Sequence, residues 1–154
     1  MENRSTDEAA RAARASELRH AYSQKSQYET RRGFLQCNVT ANDEKIQRLE
    51  CVRQCFEAEK AEAESRKSSI KDYAADTGNF SGWSGSHYTK ASESLENKVV
   101  SDYADYINRL DRVLDAVCDE ITRLQNDNYQ MQGDILHIAS LINSIINRIR
   151  TLTN

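Results

Sequence analysis

Stepping by seven from Tyr103, the sequence reads Tyr103, Leu110, Val117, Leu124, Met131, Ile138, Ile145 and Leu152, all apolar. A second series begins four residues later: Ile107, Leu114, Ile121, Asn128, Ile135, Ile142 and Ile149, with Asn128 its only polar member. Two apolar series that repeat every seven residues with an offset of four form the seam of a helix packed lengthwise on another helix. A strand would need alternation every second residue, and a globule of short elements would need breakers. The pattern predicts helix over about 86–152, and about 65 residues of helix extend roughly 100 Å at 1.5 Å per residue.

The first half repeats with the same period and a narrower stripe. Tyr28, Leu35, Asn42, Leu49, Phe56, Ala63 and Ile70 form one series. The other is Leu18, Lys25, Arg32, Val39, Ile46, Arg53, Lys60 and Lys67, and is largely basic. Lys and Arg stems can cover apolar surface while their charges stay in water. Ser5-Thr6-Asp7-Glu8 fits a capping box, so a first helix is expected over about 6–77, with residues 1–5 disordered.

Between the halves lies the only credible hinge. Residues 78–89, Gly-Asn-Phe-Ser-Gly-Trp-Ser-Gly-Ser-His-Tyr-Thr, hold three of the five glycines and the one tryptophan, and the chain has no proline. Gly78, Gly82 and Gly85 permit backbone angles closed to other residues, and Ser81 or Ser84 can cap a new helix. A turn over about 78–85 folds the chain back on itself. The expected fold is all-α: an elongated antiparallel two-helix hairpin, coiled-coil-like, forming a single domain over residues 1–154. Asn42 and Asn128, the polar breaks in the two seams, are equidistant from Gly85, so they should meet and fix the register. Gly33 and Gly133 sit near one level of the hairpin and would each weaken a helix by about 1 kcal/mol relative to Ala.

Composition narrows the function. Charged residues make up 29 %, mean hydropathy is −0.78, and net charge is −3. That balance suits long helices, and the periodicity argues against disorder. No run of 18 apolar residues exists, so no membrane span is expected, and the start of the chain has no apolar core of a secretory signal. The sequons at Asn38 and Asn79 are then chance matches. Cys37, Cys51, Cys55 and Cys118 lack the partners of a metal site and are expected to be reduced and partly buried. His20, His87 and His137 are far apart in sequence. No phosphate-binding loop, His-Glu-x-x-His or nucleophile–His grouping is present, so no cofactor, metal or catalytic residues are assigned. Arg11, Arg14, Arg19, Lys25, Arg31 and Arg32 are interspersed with acids, and with a pI of about 5.7 nucleic-acid binding is not expected.

What remains is an apolar excess. Leu136, Leu141 and Ile146 lie beside the seam, where the apposed part of helix 1 offers little to cover them. Val99, Val100, Tyr106 and Val113 widen the stripe nearer the turn. Val99, Tyr106, Val113, Leu136, Leu141 and Ile146 are therefore candidate interface residues. Periodicity gives a partner protein and a homodimer similar weight.

The turn adds a resemblance. Phe80-Ser81-Gly82-Trp83-Ser84-Gly85-Ser86, followed by Tyr88, Asp102-Tyr103, Tyr106-Ile107, Leu110-Asp111 and Cys118-Asp119-Glu120-Ile121, resembles the YwqH-like family. The helix–Trp-x-Gly–helix plan is that of the WXG superfamily of helical hairpins in Gram-positive type VII secretion. The resemblance implies a turn motif of Phe80, Gly82, Trp83, Gly85 and Tyr88. It also implies a non-enzymatic, chaperone-like partner of the helical LXG domain of a toxin, with a second small helical protein as a further partner. The chain would act in the cytoplasm and be co-secreted. The chain departs from exported WXG proteins: it ends without a Tyr-x-x-x-Asp/Glu signal, which points to a signal shared with its partner. A self-associating coiled coil and a secreted WXG-like protein acting outside the cell stay open as alternatives. Trp83 and Phe80 would either cap the hairpin core or touch the secretion machine.

Overall fold

The computed structural model describes residues 2–83 and 85–153, and of residues 2–6, Thr77 and Phe80 the backbone alone. The chain is an all-α helical hairpin. Helix α1 runs Glu2–Ala75 and is followed by a short 3-10 helix, Thr77–Phe80. Helix α2, Ser86–Ser94, passes through a π-helical segment, Leu95–Val100, into helix α3, Ser101–Thr153. With no proline in either half, nothing stops the long helices, and α1 and α3 continue through Gly33 and Gly133.

Helix α1 starts at Glu2, ahead of the start expected near residue 6. No glycine or proline precedes residue 6 to prevent this. The proposed capping box depends on the Ser5 and Thr6 side chains, which lie outside the described residues.

The turn is built from local hydrogen bonds. Asp76 leaves the helix in an extended conformation, and its carboxylate accepts from the Gly78 N–H at 2.9 Å, starting the 3-10 helix. The Ser81 N–H closes that helix onto the Gly78 carbonyl at 3.2 Å. Only two glycines use the left-handed region: Gly82 at φ 95° and Gly85 at φ 63°. Gly78 does not. Nor does a serine side chain cap α2 as expected: its N-cap is Gly85, without a side-chain hydrogen bond, and Ser81 instead ends the 3-10 helix. Ser84 lies outside the described residues.

Packing divides the chain into two units. One joins the chain up to Lys45 to the chain from Leu124 onward, and buries Ala21, Leu124, Asn128, Ile138 and Ile142. The other comprises Ile46–Arg123 and buries Ala63, Ala74, Ile107, Leu110 and Ile121. In both units α1 contributes only alanines to the fully buried set, while Leu18, Leu35, Leu49, Phe56 and Ile70 are half-buried. Burial is thus shared among many partly covered side chains, each contributing less than the roughly 1.5–3 kcal/mol of a fully buried Leu or Ile.

Several of the basic seam positions carry ion pairs. Lys25, Arg32, Arg53, Lys60 and Lys67 are all half-buried. Lys60 Nζ reaches Asp111 of α3 at 2.7 Å, and Arg53 meets Glu50 at 2.7 Å and Glu57 at 3.6 Å. The four cysteines are free and exposed rather than partly buried, because none occupies a seam position.

The π segment interrupts what the repeat predicted as one helix, and the sequence supplies a reason. Extended backwards from Tyr103 and Ile107, the seam series would bury Glu96, Thr89, Val100 and Glu93. Instead Tyr88, Ser92 and Leu95 are half-buried while Thr89, Glu93 and Glu96 are exposed, a shift of one residue. A single π turn absorbs one extra residue. It keeps the apolar side of α2 toward α1, where the Ser92 hydroxyl donates to the Ala74 carbonyl at 3.4 Å. Deleting Asn97 should therefore heal the segment into continuous α-helix without moving either seam. Thermal unfolding followed by circular dichroism should give a midpoint at or above wild type. Deleting Ala116, where no extra residue exists to lose, should lower the midpoint sharply. Equal losses from the two deletions would show that the π turn does not carry the phase shift.

Candidate partner-binding surface

In the unit that contains both termini, a polar group interrupts the apolar seam. Asn42 and Asn128 occupy equivalent seam positions, and Asn42 Nδ2 donates to Asn128 Oδ1 at 3.0 Å. Asn128 is 6 % exposed, so its side-chain amide nitrogen also needs a partner. Asp43 provides it, accepting from Asn128 Nδ2 at 2.7 Å. Asp43 was not legible as a member because it lies one residue off the seam, where carboxylates usually face water. Asp43 adjoins Asn42 in sequence, 85 residues from Asn128 against 86 for Asn42, and this adjacency is the signal that could have found it. Leu136 stands 72 % exposed on this unit, whereas Leu141 and Ile146 are half-buried. Leu141 lines an open groove of about 210 Å³ with Tyr28, Arg31, Asp134, His137 and Ile138.

In the other unit the candidate residues form a denser surface. Val99, Asp102, Tyr103 and Tyr106 line an open groove of about 320 Å³. Their spacing of three or four residues puts them on one side of the helix as it leaves the π segment. Tyr106 is 41 % exposed, and its hydroxyl donates to Glu59 Oε1 of α1 at 2.9 Å. Tyr103 hydrogen-bonds Arg66, which also pairs with Glu62. Glu59, Glu62, Ala63, Arg66, Tyr103 and Tyr106 line a second groove of about 230 Å³. Val113 lies one heptad beyond Tyr106 and is 38 % exposed.

The charges here are paired in ways that hold protons. The hydrogen bond to Glu59, with some desolvation and the Glu59 charge, raises the Tyr106 pKa above its usual 10.0. The hydrogen bond to Asp111, against an opposing desolvation and with the charges of Asp111, Glu64 and Asp115, raises that of Lys60 above 10.5. In both cases the folded value lies above the unfolded one. Any stability linked to these protons is fully present below the unfolded pKa and is lost as pH rises through the folded pKa.

The six expected interface residues therefore fall into two sets. Val99, Tyr106 and Val113 belong to one unit, and Leu136, Leu141 and Ile146 to the other. Of the turn motif, Trp83 is 58 % exposed, Tyr88 is half-buried, and Gly82 and Gly85 carry the positive φ angles. The Phe80 side chain lies outside the described residues. Among the described residues no group of three or more His, Cys, Asp or Glu could hold a metal ion, and no helix is long and apolar enough to cross a membrane. What the surface offers is open grooves and half-exposed aromatic rings on helical scaffolds, an arrangement suited to receiving another helix.

The model of the YwqH-like family matches residues 23–147. The chain belongs to the YwqH-like family. No curated protein and no solved structure matches it. The family match takes in the asparagine pair, all three grooves and the turn of this YwqH-like chain.

Three outcomes test this geometry. Asn128→Ala should destabilise the protein by about 1–3 kcal/mol, because it strands the Asn42 amide and Asp43. Asn42→Leu with Asn128→Leu should unfold at or above the wild-type denaturant midpoint but lose its single register, seen as doubled amide peaks in NMR spectra. In an alkaline ultraviolet titration, Tyr106→Phe should remove a phenolate component that ionises above pH 10. Loss instead of a component that ionises at the ordinary 10.0 would show that the Glu59 contact does not persist in solution.

Proposed function

We propose that this YwqH-like protein is a non-enzymatic accessory partner of an LXG-domain toxin of type VII secretion. It binds the helical LXG domain in the cytoplasm and helps stabilise or present the toxin for export. One observation carries the reading: a helical hairpin of this family leaves Tyr106, Val113 and Leu136 exposed beside its seam. A helical partner covers such side chains by extending the same lengthwise packing, which requires no enclosed cleft and no catalytic group. A further small helical protein can join on the face left open.

The test is affinity capture of the tagged full-length protein from the cytoplasm of its own host, with mass spectrometry of the eluate and its native mass. Recovery of an LXG-domain protein in a defined ratio is the expected result. Recovery of the bait alone, as a stable homodimer, would overturn the reading and assign the exposed side chains to self-association.

A further inference from the structure

We propose that one flank of the Ile46–Arg123 unit is the docking face for an amphipathic helix of another protein, whose apolar stripe is bordered by Lys and Arg. The inference rests on the partner-binding reading above and names the face and the chemistry of the partner.

Among the described residues, and apart from Trp83, the exposed large apolar side chains of this unit are Val52, Tyr73, Tyr106 and Val113. All four occupy one heptad position, each directly preceding a seam position. Val52 and Tyr73 are three heptads apart on α1, with Glu59 and Arg66 at the steps between. Val99, Tyr106 and Val113 are consecutive steps of seven. In an antiparallel pair, residues at this position on the two helices line the same side of the seam. The Tyr106–Glu59 hydrogen bond and the groove shared by Glu59, Arg66 and Tyr106 place the two rows side by side.

The polar members of the flank are already partnered within it. Glu59 accepts from Tyr106, and Arg66 pairs with Glu62 and Tyr103. A docking helix thus meets rings and valines without stranding a charge. The α1 row, Val52 to Tyr73, extends about 30 Å at 1.5 Å per residue, the length of a helix of about 20 residues.

Charge selects the occupant. Residues 46–123 hold 15 Asp and Glu against 11 Lys and Arg, a net of −4, while the rest of the chain nets +1. From Val99 to Asp111 the chain carries Asp102, Asp105 and Asp111 against Arg109 alone. Lys60 takes Asp111, and Asp102 lines the groove itself. A second copy laid on this flank would set −4 against −4. A helix with a basic border meets the opposite sign, and flanking charges of this kind set partner choice in helix pairs.

The experiment replaces Val52, Val113 or, as a control on the other unit, Leu136 with the photo-crosslinking residue p-benzoylphenylalanine. Each full-length variant is expressed in its own host, irradiated, and the products are mapped by mass spectrometry. Val52 and Val113 should each crosslink to a segment of another protein with apolar heptads bordered by Lys or Arg. Leu136 should yield about tenfold less of that product. Val52→Ser with Val113→Ser should lower co-purification of the same protein about tenfold or more, with an unchanged thermal midpoint because both side chains are exposed. Crosslinks to a second copy, an acidic or non-helical segment, or no product at Val52 and Val113 would each overturn the proposal. A basic-bordered helix outside an LXG toxin would leave the docking face standing and remove the toxin reading. An LXG protein captured by the tagged chain without these crosslinks would do the reverse.

Discussion

The seam of α1 against α3 is the contact on which the rest of the molecule depends, and it is thin. A helix in a two-helix pair can turn only one stripe inward. Here α1 spends several of its stripe positions on Lys and Arg, so its fully buried contributions are Ala21, Ala63 and Ala74. Larger side chains lie half in and half out of the seam. With so little buried at any one level, the fold holds by length, adding a small contribution at each turn. Every interruption of phase must then be absorbed locally, since a slip of one residue would turn the stripe by about 100°. The π segment at Leu95–Val100 is such an absorption.

The polar residues of the seam decide which alignment holds. An apolar stripe repeating every seven residues would also pack after a slide of one heptad. The Asn42–Asn128 bond and its link to Asp43 exist in one alignment only, and a slide would leave the buried Asn128 amide unsatisfied. Lys60 on Asp111 adds a second, more exposed register contact in the other unit. Such groups contribute more to uniqueness than to stability, as with single buried asparagines in coiled coils generally.

The hairpin was legible because the heptads of residues 103–152 admit one periodicity, and because glycines cluster in only one place. The turn chemistry was less legible. The sequence offers serines as caps, but Gly82 and Gly85 take the positive φ angles and α2 starts without a side-chain cap. The π segment was hidden by treating the second helix as one phase. Its signal is present, since Tyr88 and Leu95 run one residue out of step with Tyr103. The cysteines were misjudged from residue type alone: their places off the seam decide exposure. The interface residues were chosen for apolarity beside the seam, a rule that does not separate half-buried Leu141 and Ile146 from exposed Leu136, nor find Val52 and Tyr73.

Those last two residues show what the thin seam implies for recognition. Val52 and Tyr73 read as isolated exceptions on α1, and exposed apolar residues are ordinary when single. They become a row only when the fold sets Glu59 against Tyr106 and so lays the α1 positions alongside Val99, Tyr106 and Val113. A wider core would have drawn these side chains inward. A two-helix seam cannot, since a residue directly preceding a seam position reaches the edge of the contact and no further. The same geometry that limits what the hairpin can bury leaves a third helix the place where burial can continue.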